Sequence, residues 1–175
     1  MKLGGVVRRF LVPRWVTTVW AALRYRCLVS PRAEVELSRN LTLGRGSVIS
    51  SFTKIKSSGG FLRIGRDVAI STGCFLSTGE GGLEIGDKSM IGSGAAIIAS
   101  SYDYSDLDVP IADQPSRSRG VRIGHNVWVG TGARILDGAD IGSGCIITAN
   151  SVVTGTIPPN RIASGNPARV IFERR

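Results

Sequence analysis

Few residues of this 175-residue chain could carry chemistry. His125 is the only histidine, so imidazole proton transfer has one candidate. Cys27, Cys74 and Cys145 are odd in number, widely separated and form no C-x-x-C pair, which argues against a disulfide framework. With one histidine and no cysteine cluster, a zinc site is excluded as well, and no metal is expected. A reducing compartment, the cytoplasm, is the simplest reading of such cysteine usage. The densest group of candidates lies in the polar segment 99–120, ASSYDYSDLDVPIADQPSRSRG, where a phenol at Tyr102 and carboxylates at Asp103 and Asp106 fall close together. A carboxylate can take a proton. A phenol ionises near pH 10, so only about one in a thousand is ionised at pH 7. Near the C-terminus, Arg169 offers a planar guanidinium suited to a phosphate.

The elements that position these groups follow from a repeat of six. Ile123, Val129, Ile135, Ile141, Ile147 and Val153 are successive steps of six, and shorter runs occur at Leu43, Ile49, Ile55, at Ile64, Ile70, Leu76 and at Ile85, Ile91, Ile97. Leu43, Ile64 and Ile85 are also 21 residues apart, which is three hexads plus a three-residue insertion containing Gly59-Gly60 or Gly81-Gly82. Period six fits neither a helix nor an amphipathic strand. It fits a triangular solenoid in which each hexad is one short strand plus a corner, with the aliphatic turned inward to stack on its equivalent about 4.8 Å away in the next coil. A glycine-rich β-sandwich would not keep ten or more aliphatics in this register. The spacing predicts an all-β parallel β-helix over 33–171 of about five coils, with a partial lead-in at 33–40 and a four-residue tail at 172–175. The repeat breaks once, so 99–120 reads as a loop extruded from one coil, and loops of that length in compact domains are usually functional or disordered.

The net charge of +9 is uneven, because residues 1–32 hold seven basic and no acidic side chains. Within this arm, 10–23 (FLVPRWVTTVWAAL) reads as a short basic amphipathic helix, with Pro13 in its first turn and Trp15, Val19 and Trp20 on one face. It could dock on an anionic membrane surface or cap the first coil. No small-x-small cleavage site follows it, no apolar run is long enough to span a bilayer, and no nucleic-acid motif accompanies the charge.

The stretch from Ile123 onward, with NVWVG at 126–130, PPN at 158–160 and GNPAR at 165–169, resembles the hexapeptide-repeat acyltransferase superfamily. It resembles the maltose/galactoside O-acetyltransferase branch, and more closely the acetyltransferases of surface-polysaccharide synthesis. The resemblance covers about residues 40–171. It implies a left-handed β-helix, a homotrimer with active sites between neighbouring subunits, acetyl-CoA as acyl donor and a sugar or glycan hydroxyl as acceptor. It implies that Trp128, Thr131, Ala149, Thr154 and Arg169 contact coenzyme A, that the Thr131 amide stabilises the oxyanion, and that Thr72 and Glu80 hold the acceptor. The sequence departs from the family where the catalytic loop histidine belongs. There it has Tyr102, although Tyr104 and Asp106 of the motif are kept. Gly155 and Phe172 also stand where relatives often carry basic residues, and Arg174 and Arg175 could compensate for the second. General-base help is worth roughly 10²–10⁴-fold, so the missing histidine weakens transfer by about that factor unless Tyr102, Asp103, Asp106 or a neighbouring subunit's His125 serves. The expected function is acyl-CoA-dependent O-acyl transfer to a sugar by a cytoplasmic or peripheral enzyme. The rival expectation is a catalytically silent β-helix scaffold or ligand-binding subunit.

Overall fold

A computed structural model describes residues 14–57 and 59–175. The part of the arm before residue 14, including Phe10 and Pro13, lies outside the described residues. The described chain is a three-faced parallel β-helix preceded by one α-helix, α1 (Arg14–Tyr25). The first face stacks the strands Leu28–Val29, Val48–Ile49, Ala69–Ile70, Met90–Ile91, Trp128–Val129, Ile146–Ile147 and Arg161–Gly165. The second runs from Glu34–Val35 to Val152–Val153 and the third from Leu41–Leu43 to Thr156–Ile157, six strands each. Every pairing between coils is parallel and in register, as in Ile70 opposite Ile91 and Ile91 opposite Val129.

The six-residue aliphatics do point inward. Ile123, Val129, Ile135, Ile141, Ile147 and Val153 are all at most 1% exposed. Each such side chain contributes about 1.5–3 kcal/mol of burial, and only the stack of coils can bury it. The corners need a left-handed residue once per turn, and the sequence supplies it with Gly132 (φ 69°), Asn126 (φ 53°) or Asn150 (φ 59°).

Two boundaries differ from the sequence expectation. The β-helix has six coils rather than about five, and it starts at Leu28, inside the segment assigned to the arm, because Leu28–Val29 pairs with Val48–Ile49. At the other end the final strand, Ala168–Glu173, folds back antiparallel on Arg161–Gly165 and takes up Phe172 and Glu173 from the expected tail.

Helix α1 covers the open end of the first coil. Ala21 and Thr17 are buried, and the Tyr25 hydroxyl donates to the Leu41 carbonyl at 3.0 Å. The helix stops where Arg26 turns left-handed (φ 54°), with the Cys27 amide bonded to Ala21 O and the Arg26 amide to Ala22 O. The opposite side of the helix leaves Trp15, Val19 and Leu23 exposed. Among the described residues no helix is long and apolar enough to cross a membrane.

Candidate active-site edge

The corner between the first and second faces forms one continuous edge. Its middle position lies two residues after each inward aliphatic of the first face (Ile70, Ile91, Val129, Ile147) and holds Thr72, Ser93, Thr131 and Ala149 in successive coils. Backbone bonds tie these corners together: the amide of Gly94 donates to Thr72 O at 2.9 Å, that of Gly132 to Ser93 O at 3.0 Å and that of Asn150 to Thr131 O at 2.9 Å. Thr72 and Thr131 are therefore two coils, about 10 Å, apart on one line.

The Thr131 amide has no acceptor among the described residues, and glycine beneath it keeps it uncovered. A Cβ on Gly92 would lie 2.6 Å from the Thr131 nitrogen. Arg134 fastens the same corner: its Nη1 donates to the carbonyls of Gly94 at 2.9 Å and Gly132 at 2.6 Å. Nothing in the sequence marked Arg134, and its outward place on the second face is the only signal it gave. Trp128 projects half-exposed from the first face between Met90 and Ile146, which makes an apolar flank beside the edge. Arg169 sits opposite Ser164 in the terminal hairpin, at the end of the edge, and makes no ion pair among the described residues. Four of the five positions expected to meet coenzyme A thus share one edge. Thr154 does not, since it follows Val153 and lies across the second face.

The extruded segment leaves from the other corner, between the second and third faces. It is an ordered hairpin rather than a structureless loop, with Ser101–Tyr102 paired antiparallel to Ser116–Arg117 and a single 3-10 turn at Ile111–Asp113. Its ends are fixed. Ser118 Oγ accepts from the Gly81 amide and donates to Ala99 O, while the buried carboxylate of Asp137 accepts from the amides of Arg119 (2.8 Å) and Gly120 (2.9 Å). Its middle is held by Gln114, whose side chain donates to the carbonyls of Asp106 and Val109 at 2.7 Å each.

The three candidate bases of the hairpin differ. The Tyr102 phenol is exposed and its hydroxyl has no partner among the described residues. The Asp103 carboxylate accepts from the Ser105 hydroxyl and amide and pairs with Arg117, and these bonds, the Ser105 hydroxyl first, hold its pKa below the usual carboxylate range. A carboxylate so held is a weaker base, so Asp103 reads as a brace of the hairpin. Asp106 accepts from the Asp108 amide at 2.9 Å, a local turn bond. Glu80 is exposed between Gly79 and Gly81, which pack against Ser118, so the structure brings it to the hairpin base.

His125 lies at the third corner, between the third and first faces, with Nδ1 2.8 Å from Ser143 Oγ. Within one copy it meets neither the hairpin nor the Thr131 edge. In a single chain the Thr131 edge and the Tyr102 hairpin are separated by the width of the second face. Burial raises the pKa of all three thiols, Cys27, Cys74 and Cys145. No group of three or more His, Cys, Asp or Glu residues that could hold a metal occurs among the described residues.

Known proteins resemble this chain in sequence and in fold. The profile of the bacterial transferase hexapeptide (six repeats) matches residues 120–155. A Mycobacterium tuberculosis protein named as an acetyltransferase is 29% identical over 191 residues, which cover 97% of this chain; the chain spans 61% of that relative's length. The Escherichia coli protein WbbJ, named for lipopolysaccharide-biosynthesis O-acetyl transfer, is 28% identical over 173 residues, 95% of this chain and 85% of its own. Galactoside O-acetyltransferase of Escherichia coli is 49% identical over 53 residues, 30% of this chain and 26% of its own. Among solved structures, a mutant of AntD, an N-acyltransferase from Bacillus cereus in complex with dTDP and coenzyme A, superposes with a TM-score of 0.78 over 90% of this chain and 88% of its own at 23% identity. That likeness bears on the fold, a left-handed β-helix.

Proposed function

We propose that this chain, which belongs to the hexapeptide-repeat transferases, is an acyl-CoA-dependent O-acyltransferase that acylates a sugar hydroxyl in glycan or surface-polysaccharide synthesis. The observation that carries this reading is the single edge on which the open Thr131 amide, Trp128, Ala149 and Arg169 line up. Such an edge suits an extended donor. Arg169 is free to meet a phosphate, Trp128 gives a flat apolar contact, and the amide sits where a thioester oxygen would gather charge. The acceptor hydroxyl loses its proton to a base as its oxygen attacks the thioester carbonyl. The tetrahedral oxyanion is held by the Thr131 N–H, and collapse breaks the C–S bond and releases the thiol of coenzyme A. No acyl-enzyme is required.

The active unit is a homotrimer, in which the Tyr102 hairpin of one copy meets the Thr131 edge of the next. The exposed apolar side chains of the hairpin, Tyr104, Leu107 and Ile111, suit such a contact. The exposed face of α1, with Trp15, Val19 and Leu23 beside Arg24 and Arg26, suits an anionic membrane surface, while the buried face of the same helix caps the first coil. Tyr102 in place of the usual histidine favours one rival, a β-helix that binds acyl-CoA and no longer turns it over.

Calorimetry of acetyl-CoA with the purified protein, followed by thiol release in the presence of neutral saccharides, tests both readings. Micromolar binding with turnover is the expected result. Binding without turnover favours the rival, and absence of binding refutes both.

A further inference from the structure

The candidate edge continues past Thr72 to an aromatic ring. The last position of each corner between the first and second faces lies three residues after the inward aliphatic and turns left-handed. It holds Phe52 (φ 62°), Gly73, Gly94, Gly132 and Asn150 in successive coils. Glycine and asparagine suit that backbone, whereas a bulky side chain is strained in it. Among the described residues every other non-glycine residue with positive φ is polar or charged. Phe52 is also 67% exposed. Phe61 shows what a structural ring does in this fold: it lies over Gly82 of the next coil, and Arg63 stacks on it at 4.6 Å. The Phe52 ring is not laid on its neighbour in this way. A Cβ on Gly73 would have nothing nearer than the Gly94 nitrogen at 4.0 Å, so the ring stands out from the edge. Phe52 lies in the second coil, Thr72 in the third and Thr131 in the fifth, and the Gly73 amide ties the first two by donating to Ser51 O at 3.1 Å. The proposed donor groups Trp128, Thr131, Ala149 and Arg169 occupy the C-terminal half of the edge. Phe52 therefore ends its acceptor half, three coils or about 14 Å from Thr131.

We infer that Phe52 is a glycan-stacking subsite, whose ring takes the C–H face of a neutral pyranose lying beyond the sugar that is acylated. The weakly positive C–H groups on one face of a pyranose match the negative face of an aromatic ring, and an exposed ring gives that contact at little cost in side-chain freedom. The separation from Thr131 is greater than one pyranose spans, so the subsite reads an oligosaccharide and not a single sugar. The inference rests on the acyltransferase reading, which makes the acceptor a saccharide, and it adds to that reading a residue that sets the acceptor's length.

The test compares three full-length chains: the native one, Phe52→Asn, which suits the left-handed backbone and removes the ring, and Phe52→Tyr, which keeps the ring. Binding of neutral gluco-, galacto- and manno-oligosaccharides of one to four units, and of UDP-glucose, is followed by saturation-transfer NMR at millimolar concentration. Acetyl-CoA affinity and melting temperature are measured on the same samples. At least one tri- or tetrasaccharide is expected to bind the native chain more tightly than its monosaccharide does. Phe52→Tyr should keep that gain, and Phe52→Asn should lose it, binding the oligosaccharide about tenfold more weakly. Acetyl-CoA affinity should be the same in all three, and Phe52→Asn should melt no lower than the native chain, because asparagine suits the backbone and the ring fills no interior space. Equal oligosaccharide affinity in the native chain and Phe52→Asn, an equal loss in Phe52→Tyr, or no saccharide binding by any of the three overturns the inference. Capture of UDP-glucose ahead of every neutral saccharide, lost in Phe52→Asn, also overturns it, by assigning the ring to a nucleobase. So does a lower melting temperature of Phe52→Asn, which would show the ring packed on the chain's own residues or on a second copy. In each case retained acetyl-CoA binding leaves the acyltransferase reading standing, while its absence from the native chain refutes that reading itself.

Discussion

Gly92→Ala perturbs the proposed oxyanion site from beneath. The added methyl would sit 2.6 Å from the Thr131 nitrogen and 2.8 Å from Gly130 C and Val129 O, all backbone atoms. Ordinary contact begins at 3.4 Å, so the Thr131 corner has to move by about 0.8 Å. Misplacement of a reacting group by about 1 Å can cost on the order of 10²-fold, and loss of one oxyanion donor about 10²–10³-fold in kcat. Overpacking alone destabilises by about 1–3 kcal/mol, so folding needs its own control. Gly65→Ala provides it. Gly65 lies at the corner between the third and first faces, and its added methyl would meet the Asp87 nitrogen at the same 2.6 Å, at a corner that carries no proposed chemistry. The assay compares kcat, KM for acetyl-CoA and melting temperature for both variants. Comparable losses of stability are expected, with kcat falling at least about 10²-fold in Gly92→Ala only. If Gly92→Ala keeps full kcat, or if both variants lose kcat alike, Thr131 is not the oxyanion donor.

Three further expectations follow from the site. Tyr102→Phe should abolish turnover if the phenol moves the proton, and Tyr102→His, at an exposed position, should raise kcat by up to about 10²–10⁴-fold without altering acetyl-CoA affinity; steady-state kinetics with a fixed acceptor decide, and unchanged rates in both remove Tyr102 from the mechanism. Arg169→Ala should raise KM for acetyl-CoA about tenfold while leaving pantetheine-based donors unaffected, because only the phosphate-bearing portion would be missed; equal effects on both donors would place Arg169 elsewhere. Burial raises the pKa of Cys27, Cys74 and Cys145, so all three stay protonated thiols at pH 7–8 and should resist alkylation until the protein unfolds; stoichiometric labelling of the native chain would contradict their burial.

The solenoid was legible because its core is written in single residues. Every sixth position from Ile123 to Val153 must fill the same interior, and an aliphatic there admits no other reading. The first coil was read only in part, as a lead-in at 33–40, although its full signal was present: Val29, Val35 and Leu41 are also steps of six, hidden by the basic character of the residues around them. The common edge of Thr72, Thr131 and Ala149 could have been counted, since each lies two residues after a first-face aliphatic, and the same count sets Thr154 apart. The hairpin's order was not legible. It depends on Asp137, Gln114 and Arg117 meeting partners eight to eighteen residues away, with no periodicity to announce them.

The separation of the Thr131 edge from the Tyr102 hairpin makes a stronger demand than either half alone. If each active site joins the edge of one copy to the hairpin of the next, Gly92→Ala and Tyr102→Phe damage different sides of it and should complement. Two inactive chains, unfolded together at equal amounts and refolded as random trimers, form interfaces of four kinds. About a quarter of these pair an intact edge with an intact hairpin, so about a quarter of native activity should return. Refolded separately and then mixed, the same chains should remain inactive, which excludes partial rescue by either one. A site completed within a single copy gives no recovery under any protocol, because every chain in the mixture carries one lesion in its own site. Recovery near a quarter therefore supports the shared site, and its absence from properly assembled mixed trimers would require the hairpin to reach the edge of its own chain, across a face that the fold keeps between them.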